Sequence, residues 1–129
     1  LSGSGRIGTG RTGFGFFGHL FEMAEASGVR FRFEWGALPF LPGAARLAAD
    51  MVFPGGAFNN LEHFGGRVVR SRALSDGEEM LLFDPQTSGG LLVAVPAAGE
   101  AAFEGSLASE GTSGWRVGEV VEGAGLEIA

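Results

Sequence analysis

The chain contains no cysteine and no lysine. The absence of thiols excludes a disulfide, a thiolate metal site and a thiol nucleophile within these 129 residues. All nine basic residues are arginine, set against 15 acidic residues, and the net charge of −6 argues against a protein that binds the phosphate backbone of nucleic acids. We therefore expect no nucleic-acid partner.

Long apolar runs are also lacking. No stretch approaches the roughly 20 apolar residues that a membrane-spanning helix needs, and no signal-peptide pattern is present. We expect a cytoplasmic protein with no membrane partner. The first residue is Leu1 rather than methionine, and residues 2–5 alternate serine with glycine as flexible linkers do. The sequence therefore predicts a piece of a longer protein, in which residues 1–11 are a flexible linker or a vector-derived segment and 12–129 form one domain.

Glycine, by contrast, is abundant, with 24 residues. Two overlapping G-x-G-x-x-G patterns between Gly8 and Gly18 match the spelling of a dinucleotide-binding turn. Such a turn must follow a buried strand, yet residues 1–12 contain only Leu1 and Ile7 as large apolar side chains. A nicotinamide-binding function is therefore disfavoured.

The hydrophobic pattern predicts a mixture of helices and strands. Apolar residues recur with helical spacing over 16–27, ahead of a capping Gly28, and Val29 to Trp35 alternate as a half-buried strand does. Further helices are predicted over 44–51, 76–82 (with Ser75 as N-cap) and 96–109, and further strands at 68–69, 90–95, 115–121 and 126–128. Residues 53–66 are predicted to form the longest irregular connection. The order indicates an α+β domain in which helices flank a mixed sheet.

The most specific segment is the run D-P-Q-T-S-G-G-L-L that begins at Asp84. Pro85 favours extended geometry at the residue before it, and the two glycines leave backbone N–H groups open. The Thr87 and Ser88 hydroxyls can bond nearby backbone, so that the turn could cup an anion. A plain solvated turn that leads into a buried strand is the alternative interpretation of this segment alone.

Three upstream segments accompany this run: T-G-F-G-F-F-G-H-L from Thr12, L-P-G from Leu41, and P-G-G followed by Asn60. In this order and spacing, the four segments resemble the C-terminal domain of selenophosphate synthetase (selenide, water dikinase). The likeness extends from about Thr12 to the C-terminus. It implies the layered α/β/α fold, with a mixed sheet, of the aminoimidazole ribonucleotide synthetase C-terminal domain, which is partly ferredoxin-like.

The resemblance also implies a function for a larger protein. Enzymes of this family use ATP and Mg²⁺ to convert selenide and water into selenophosphate, AMP and phosphate. Their nucleophilic Cys or selenocysteine, the adjacent Lys and most nucleotide ligands lie in an N-terminal ATP-binding domain, through which the family mainly dimerises. The family places a metal-binding Asp two residues before T-G-F-G, where this chain has Gly10. A glycine offers no side-chain oxygen to a hard cation, so no metal ligand or cofactor is assigned to this chain.

The first hypothesis is a C-terminal domain that is inactive alone and closes one wall of the ATP site when its partner domain is present. The residues expected in that wall are Thr12, Gly13, Phe14, Gly15, Asp84, Gln86, Thr87, Ser88, Gly89 and Gly90. No catalytic residue is expected in the chain. One alternative is a non-catalytic interaction or assembly module of the same fold, and another is a domain of a different ATP-dependent enzyme of the superfamily.

Other candidate polar sites have ordinary structural explanations. His19 and Glu22 lie one helical turn apart, which predicts a surface pair rather than a catalytic one. Arg67, Arg70 and Arg72 form the only local basic cluster, and a solvated strand edge is favoured over an anion site.

Overall fold

The computed structural model of the chain describes residues 15–86 and 90–129. Within these ranges the helices are α1 (Gly15–Ser27), α2 (Ala44–Ala49), α3 (Gly55–Phe64), α4 (Asp76–Leu82) and α5 (Glu100–Ser109). The strands are β1 (Arg30–Phe33), β2 (Val68–Arg70), β3 (Gly118–Val121) and β4 (Gly125–Ile128). Short 3-10 turns occupy Trp35–Ala37, Gly65–Arg67 and Ala97–Gly99. None of these helices is long and apolar enough to cross a membrane.

The described strands form one mixed sheet in the order β2-β4-β1-β3. β4 is parallel to both β1 and β2, whereas β3 runs antiparallel to β1. This mixture of helices and a mixed sheet confirms the predicted α+β class.

The core lies between α1 and one face of the sheet. Phe17, Leu20, Phe21 and Ala24 are all buried, which confirms the predicted apolar face of α1. Facing them are buried side chains from three strands: Phe31, Phe33, Val68, Leu126 and Ile128. Burying one such large apolar side chain is worth about 1.5–3 kcal/mol, so this layer contributes strongly to the stability of the domain.

The opposite face of the sheet is charged. Arg32 pairs with Glu127 across the β1–β4 register, at 3.3 Å from Nε to Oε1, and Arg30 lies 3.5 Å from the same carboxylate. The Ser71 hydroxyl donates to Glu127 at 2.7 Å. That hydrogen bond, together with Arg32 and Arg30, holds the pKa of the Glu127 carboxyl below its usual value. A nearly buried carboxylate is tolerated here because it is paired on several sides.

Helix α4 begins with the predicted cap. The Ser75 hydroxyl accepts from the Glu78 backbone N–H at 3.3 Å, and the Glu78 carboxylate accepts from the Ser75 N–H at 2.8 Å. This reciprocal capping box satisfies two N–H groups that the first turn of the helix would leave unpaired.

Two sequence-based assignments are wrong. Residues 55–64, expected within an irregular connection, form α3, which starts after the extended Pro54. Paired glycines and asparagines indicate loops locally, but α3 buries Ala57 and Asn60, and packing outweighs that preference. Residues 90–95, expected as a buried strand, pair with no described strand, and Leu91 is 63% exposed. Apolar composition favours a strand only where a neighbouring edge accepts its hydrogen bonds.

The other element boundaries shift modestly. The first strand is shorter than predicted, and the strand expected over 115–121 starts only at Gly118. The helix expected over 96–109 divides into a 3-10 turn and α5.

Candidate functional site

The predicted wall falls only partly within the described residues. Gly15, Asp84, Gln86 and Gly90 are described. The other expected members lie outside the described residues: Thr12, Gly13, Phe14, Thr87, Ser88 and Gly89. The described part of the wall is therefore the junction at which the predicted loop from Thr12 ends, at Gly15, and the predicted loop from Asp84 begins.

Gly15 lies directly against the backbone of the D-P-Q-T segment. A Cβ at residue 15 would be 2.9 Å from the Asp84 carbonyl oxygen and 3.0 Å from that of Phe83. Gly15 also has φ +70°, a backbone conformation that favours glycine. Two features therefore require glycine at the end of T-G-F-G: the left-handed backbone and the close approach of the D-P-Q-T backbone.

Packing of the neighbouring aromatic residues explains why these two segments meet. Phe17, in the first turn of α1, contacts Phe83 edge to face with ring centroids 5.5 Å apart. Both rings are fully buried. Because Phe83 follows directly after α4, its burial against α1 places Asp84 beside Gly15. The core therefore determines the position of the junction.

Asn60 holds the same junction from α3. Its Nδ2 donates to the Phe83 carbonyl oxygen at 3.0 Å, and the residue is 6% exposed. A buried carbonyl left without a partner would be costly, so the amide stabilises the segment just before Asp84. Asn60 was not among the expected site residues. Its place at the end of the P-G-G-x-x-x-N pattern was the signal that could have identified it.

The P-G-G pattern also contacts the second loop through Gly56. A Cβ at residue 56 would lie 3.1 Å from Cγ of Pro85. Beyond the proline, the Gln86 N–H donates to the Asp84 carbonyl at 2.8 Å and tightens the turn. Three of the four motifs therefore converge on residues 83–86.

The fourth motif, L-P-G, leads into α2 beside the junction. A depression of about 140 Å³ lies beside the contact of α2 with the end of α4. Its lining includes Ala44, Leu47, Val52 and Phe53, with the half-buried Asp84 at one side. The Asp84 segment is thus accessible from the surface, while its backbone is fixed by Gly15, Asn60 and Gly56.

Most arginine side chains of the described region pair with carboxylates. Arg67 pairs with Glu25, Arg70 with Glu79, and Arg72 with Glu78, so each member of the arginine cluster has an acidic partner. His19 lies 3.8 Å from Glu22 on α1, as predicted for a surface pair. Among residues 15–86 and 90–129, no group of three His, Cys, Asp or Glu side chains is arranged to hold a metal ion.

Comparison with known proteins covers nearly the whole chain. The family model described as AIR synthase related protein, C-terminal domain, matches residues 9–129. A selenide, water dikinase of Bordetella bronchiseptica is 48% identical over 113 residues, which are 85% of this chain and 31% of that protein. Those of Pseudomonas putida and Pseudomonas aeruginosa are 44% and 42% identical over 111 and 117 residues. These regions cover 86% and 91% of this chain, and 31% and 33% of the two relatives. The chain therefore spans about a third of the length of the curated relatives that it matches.

Proposed function

This chain belongs to the AIR synthase related protein family, whose C-terminal domain it matches, and from that membership we propose that it serves a selenophosphate synthetase. The longer protein that would contain it is called the parent protein below. The proposed reaction of the parent protein converts selenide, ATP and water into selenophosphate, AMP and phosphate in the cytoplasm. The identity with three selenide, water dikinases over most of this chain favours this enzyme over other members of the superfamily.

The proposed role of this chain is to form one wall of the nucleotide site, not to carry out the chemistry. The observation that carries this proposal is the convergence of three motifs on residues 83–86, where Gly15 and Asn60 fix the backbone and Asp84 remains accessible. Binding loops are usually presented from a rigid scaffold, and the anchored residues 83–86 would provide one. The open N–H groups expected of a Gly-Gly turn suit a phosphate group.

The parent protein would supply what this chain lacks. The chain has no thiol and no lysine, and Gly10 stands where the family has a metal-binding Asp. We therefore propose that Mg²⁺ ligands, the nucleophile and most nucleotide contacts come from the preceding domain. That domain would also form most of a homo-oligomer contact. The isolated chain should then produce no AMP from ATP and selenide at any Mg²⁺ concentration.

Asp84→Asn tests the proposed wall. In the 129-residue chain this change should leave the urea midpoint unaltered, because Asp84 lies at the accessible side of the junction. In the parent protein the same change should lower kcat by about tenfold, since an interaction made during the reaction is lost.

The matched control is Glu110→Gln, which removes an exposed carboxylate at the end of α5, and it should change neither quantity. A clear loss of stability with unchanged turnover would refute the proposal and make the motif a feature of the fold alone.

A further inference from the structure

The second helix presents an apolar surface to solvent. The α2 face, as we define it, consists of exposed large side chains before, on and after this helix. Its members are Phe40, Leu41, Leu47, Met51 and Val52, whose exposed fractions range from 38% to 80%. The opposite side of α2 is buried through Ala48, where the helix packs against α4. Clefts flank the helix, one of about 420 Å³ beside Trp35 and Phe40 and the depression beside Asp84.

Charge is sparse in the sequence around α2, although Glu78 and Asp84 line the two clefts that flank the helix. Between Trp35 and Leu61 the sequence contains only Arg46 and Asp50 as charged residues. A local depletion of charge combined with several exposed large apolar side chains is typical of a protein interface rather than of ordinary surface.

The backbone conformation of Met51 also favours an interface at this face. Met51 has φ +53°, the left-handed conformation in which glycine usually ends a helix. The Val52 N–H donates to the Leu47 carbonyl at 2.9 Å and the Met51 N–H to that of Ala48 at 3.0 Å, a Schellman arrangement. A methionine there is strained and still 44% exposed, so its side chain gains little within the domain. Placement of a large flexible apolar group at such a position is explained by a contact made outside the domain.

We propose that the α2 face docks against the preceding domain of the parent protein. The inference rests on the proposed function in taking the chain to be part of that longer protein. About two thirds of each curated relative lies outside the region that this chain matches, which is ample material to cover the face. The start of α1 also lies near this face. Gly15 lies against Asp84, and Asp84 lines the same depression as Leu47 and Val52. Docking here would hold residues 83–86 against the partner domain that shares the nucleotide site.

Cysteine labelling tests this docking, because the chain has no cysteine of its own. Val52→Cys would be made in the 129-residue chain and in the parent protein. The rate at which N-ethylmaleimide modifies this cysteine would be measured by mass spectrometry of the peptide that contains it. The matched control is Val120→Cys on β3, since Val120 is 50% exposed and Val52 is 59% exposed. We expect the thiol introduced at position 52 to react at least about tenfold more slowly in the parent protein than in the isolated chain. The thiol at position 120 should react at the same rate in both proteins.

A second variant separates docking from folding. Met51→Gly relieves the left-handed strain, so the thermal midpoint of the 129-residue chain should not fall. In the parent protein, the same change combined with Val52→Cys should restore much of the labelling at position 52.

Equal labelling at position 52 in both proteins would overturn the proposal. Slow labelling at position 52 relative to position 120 in the isolated chain would overturn the proposal too, because a second copy of the chain would then cover the α2 face. Protection at position 120 as well would show that the shielding is not specific to the α2 face and would count against the proposal. AMP formation by the same samples reports separately on the proposed function, because labelling requires no turnover.

Discussion

Replacement of Gly15 by alanine tests whether the two motifs meet as the structure describes. Gly15 must accommodate both a left-handed backbone, with φ +70°, and the carbonyl oxygens of Phe83 and Asp84. Gly28, at the other end of α1, has a similar φ of +63°, but a Cβ there would have no heavy atom within 4 Å. The pair therefore isolates the close approach from the backbone conformation.

The expected magnitudes follow from these two differences. A left-handed alanine costs about 1–2 kcal/mol, and the reduced freedom of the unfolded chain returns about 0.4–1 kcal/mol of this. Gly28→Ala should thus destabilise the domain by about 1 kcal/mol. Gly15→Ala carries the same cost and adds a clash with backbone atoms 2.9 and 3.0 Å away, which cannot rotate aside. Overpacking of this kind adds about 1–3 kcal/mol, so its total should reach about 2–4 kcal/mol.

Urea denaturation of the 129-residue chain measures both costs. With a denaturant slope of about 1.5 kcal/mol per molar, a difference of about 2 kcal/mol between the two variants would separate their midpoints by about 1.3 M. Gly66→Ala serves as a baseline, because its backbone is not left-handed and a Cβ there meets nothing within 4 Å. Equal midpoints for Gly15→Ala and Gly28→Ala would refute the contact between T-G-F-G and D-P-Q-T.

Three further predictions concern stability. Asn60→Ala should lower the free energy of unfolding by about 1–3 kcal/mol, because the Phe83 carbonyl loses its donor. Asn59→Ala, on the exposed side of α3, should have little effect in the same urea titration, and similar losses for both variants would contradict the role of Asn60. The folded pKa of Glu127 is depressed, so its contribution to stability is present above the unfolded pKa of about 4.3 and is lost as the pH falls through the folded pKa. Glu127→Gln should therefore lessen the loss of stability on acidification from about pH 7 to about pH 3.5. Parallel pH profiles of the urea midpoints of the unaltered chain and the variant would argue against a contribution from this carboxylate. EDTA should leave the thermal midpoint of the 129-residue chain unchanged, and a fall of several degrees on chelation would show that the chain binds a metal ion.

Local signals in the sequence were sufficient for several elements. The helical spacing of Phe17 to Ala24 predicted α1 and its buried face, and the alternation around Phe31 and Phe33 predicted β1. Ser75 identified the start of α4. Each of these signals depends on neighbours within a few residues, so the chain carries it without reference to the rest of the fold.

Tertiary packing decided the elements in which local signals conflicted with burial. The Gly-Gly and Asn-Asn pairs of residues 55–60 indicate a loop, but the burial of Ala57 and the bond from Asn60 to Phe83 make the segment α3. Residues 90–95 have strand composition, yet they do not join the described sheet, and Leu92 only packs against the core.

The candidate site shows the same division. The sequence by itself determined the four motifs, their order and the family they indicate, because those are properties of residues along the chain. It did not determine that Gly15, Asn60 and Gly56 meet at residues 83–86, and whether that junction walls a nucleotide site stays a prediction. These residues are brought together by the burial of Phe83 against Phe17. Contacts between residues so far apart in sequence form only when the core condenses, which is why the tertiary structure alone could decide them.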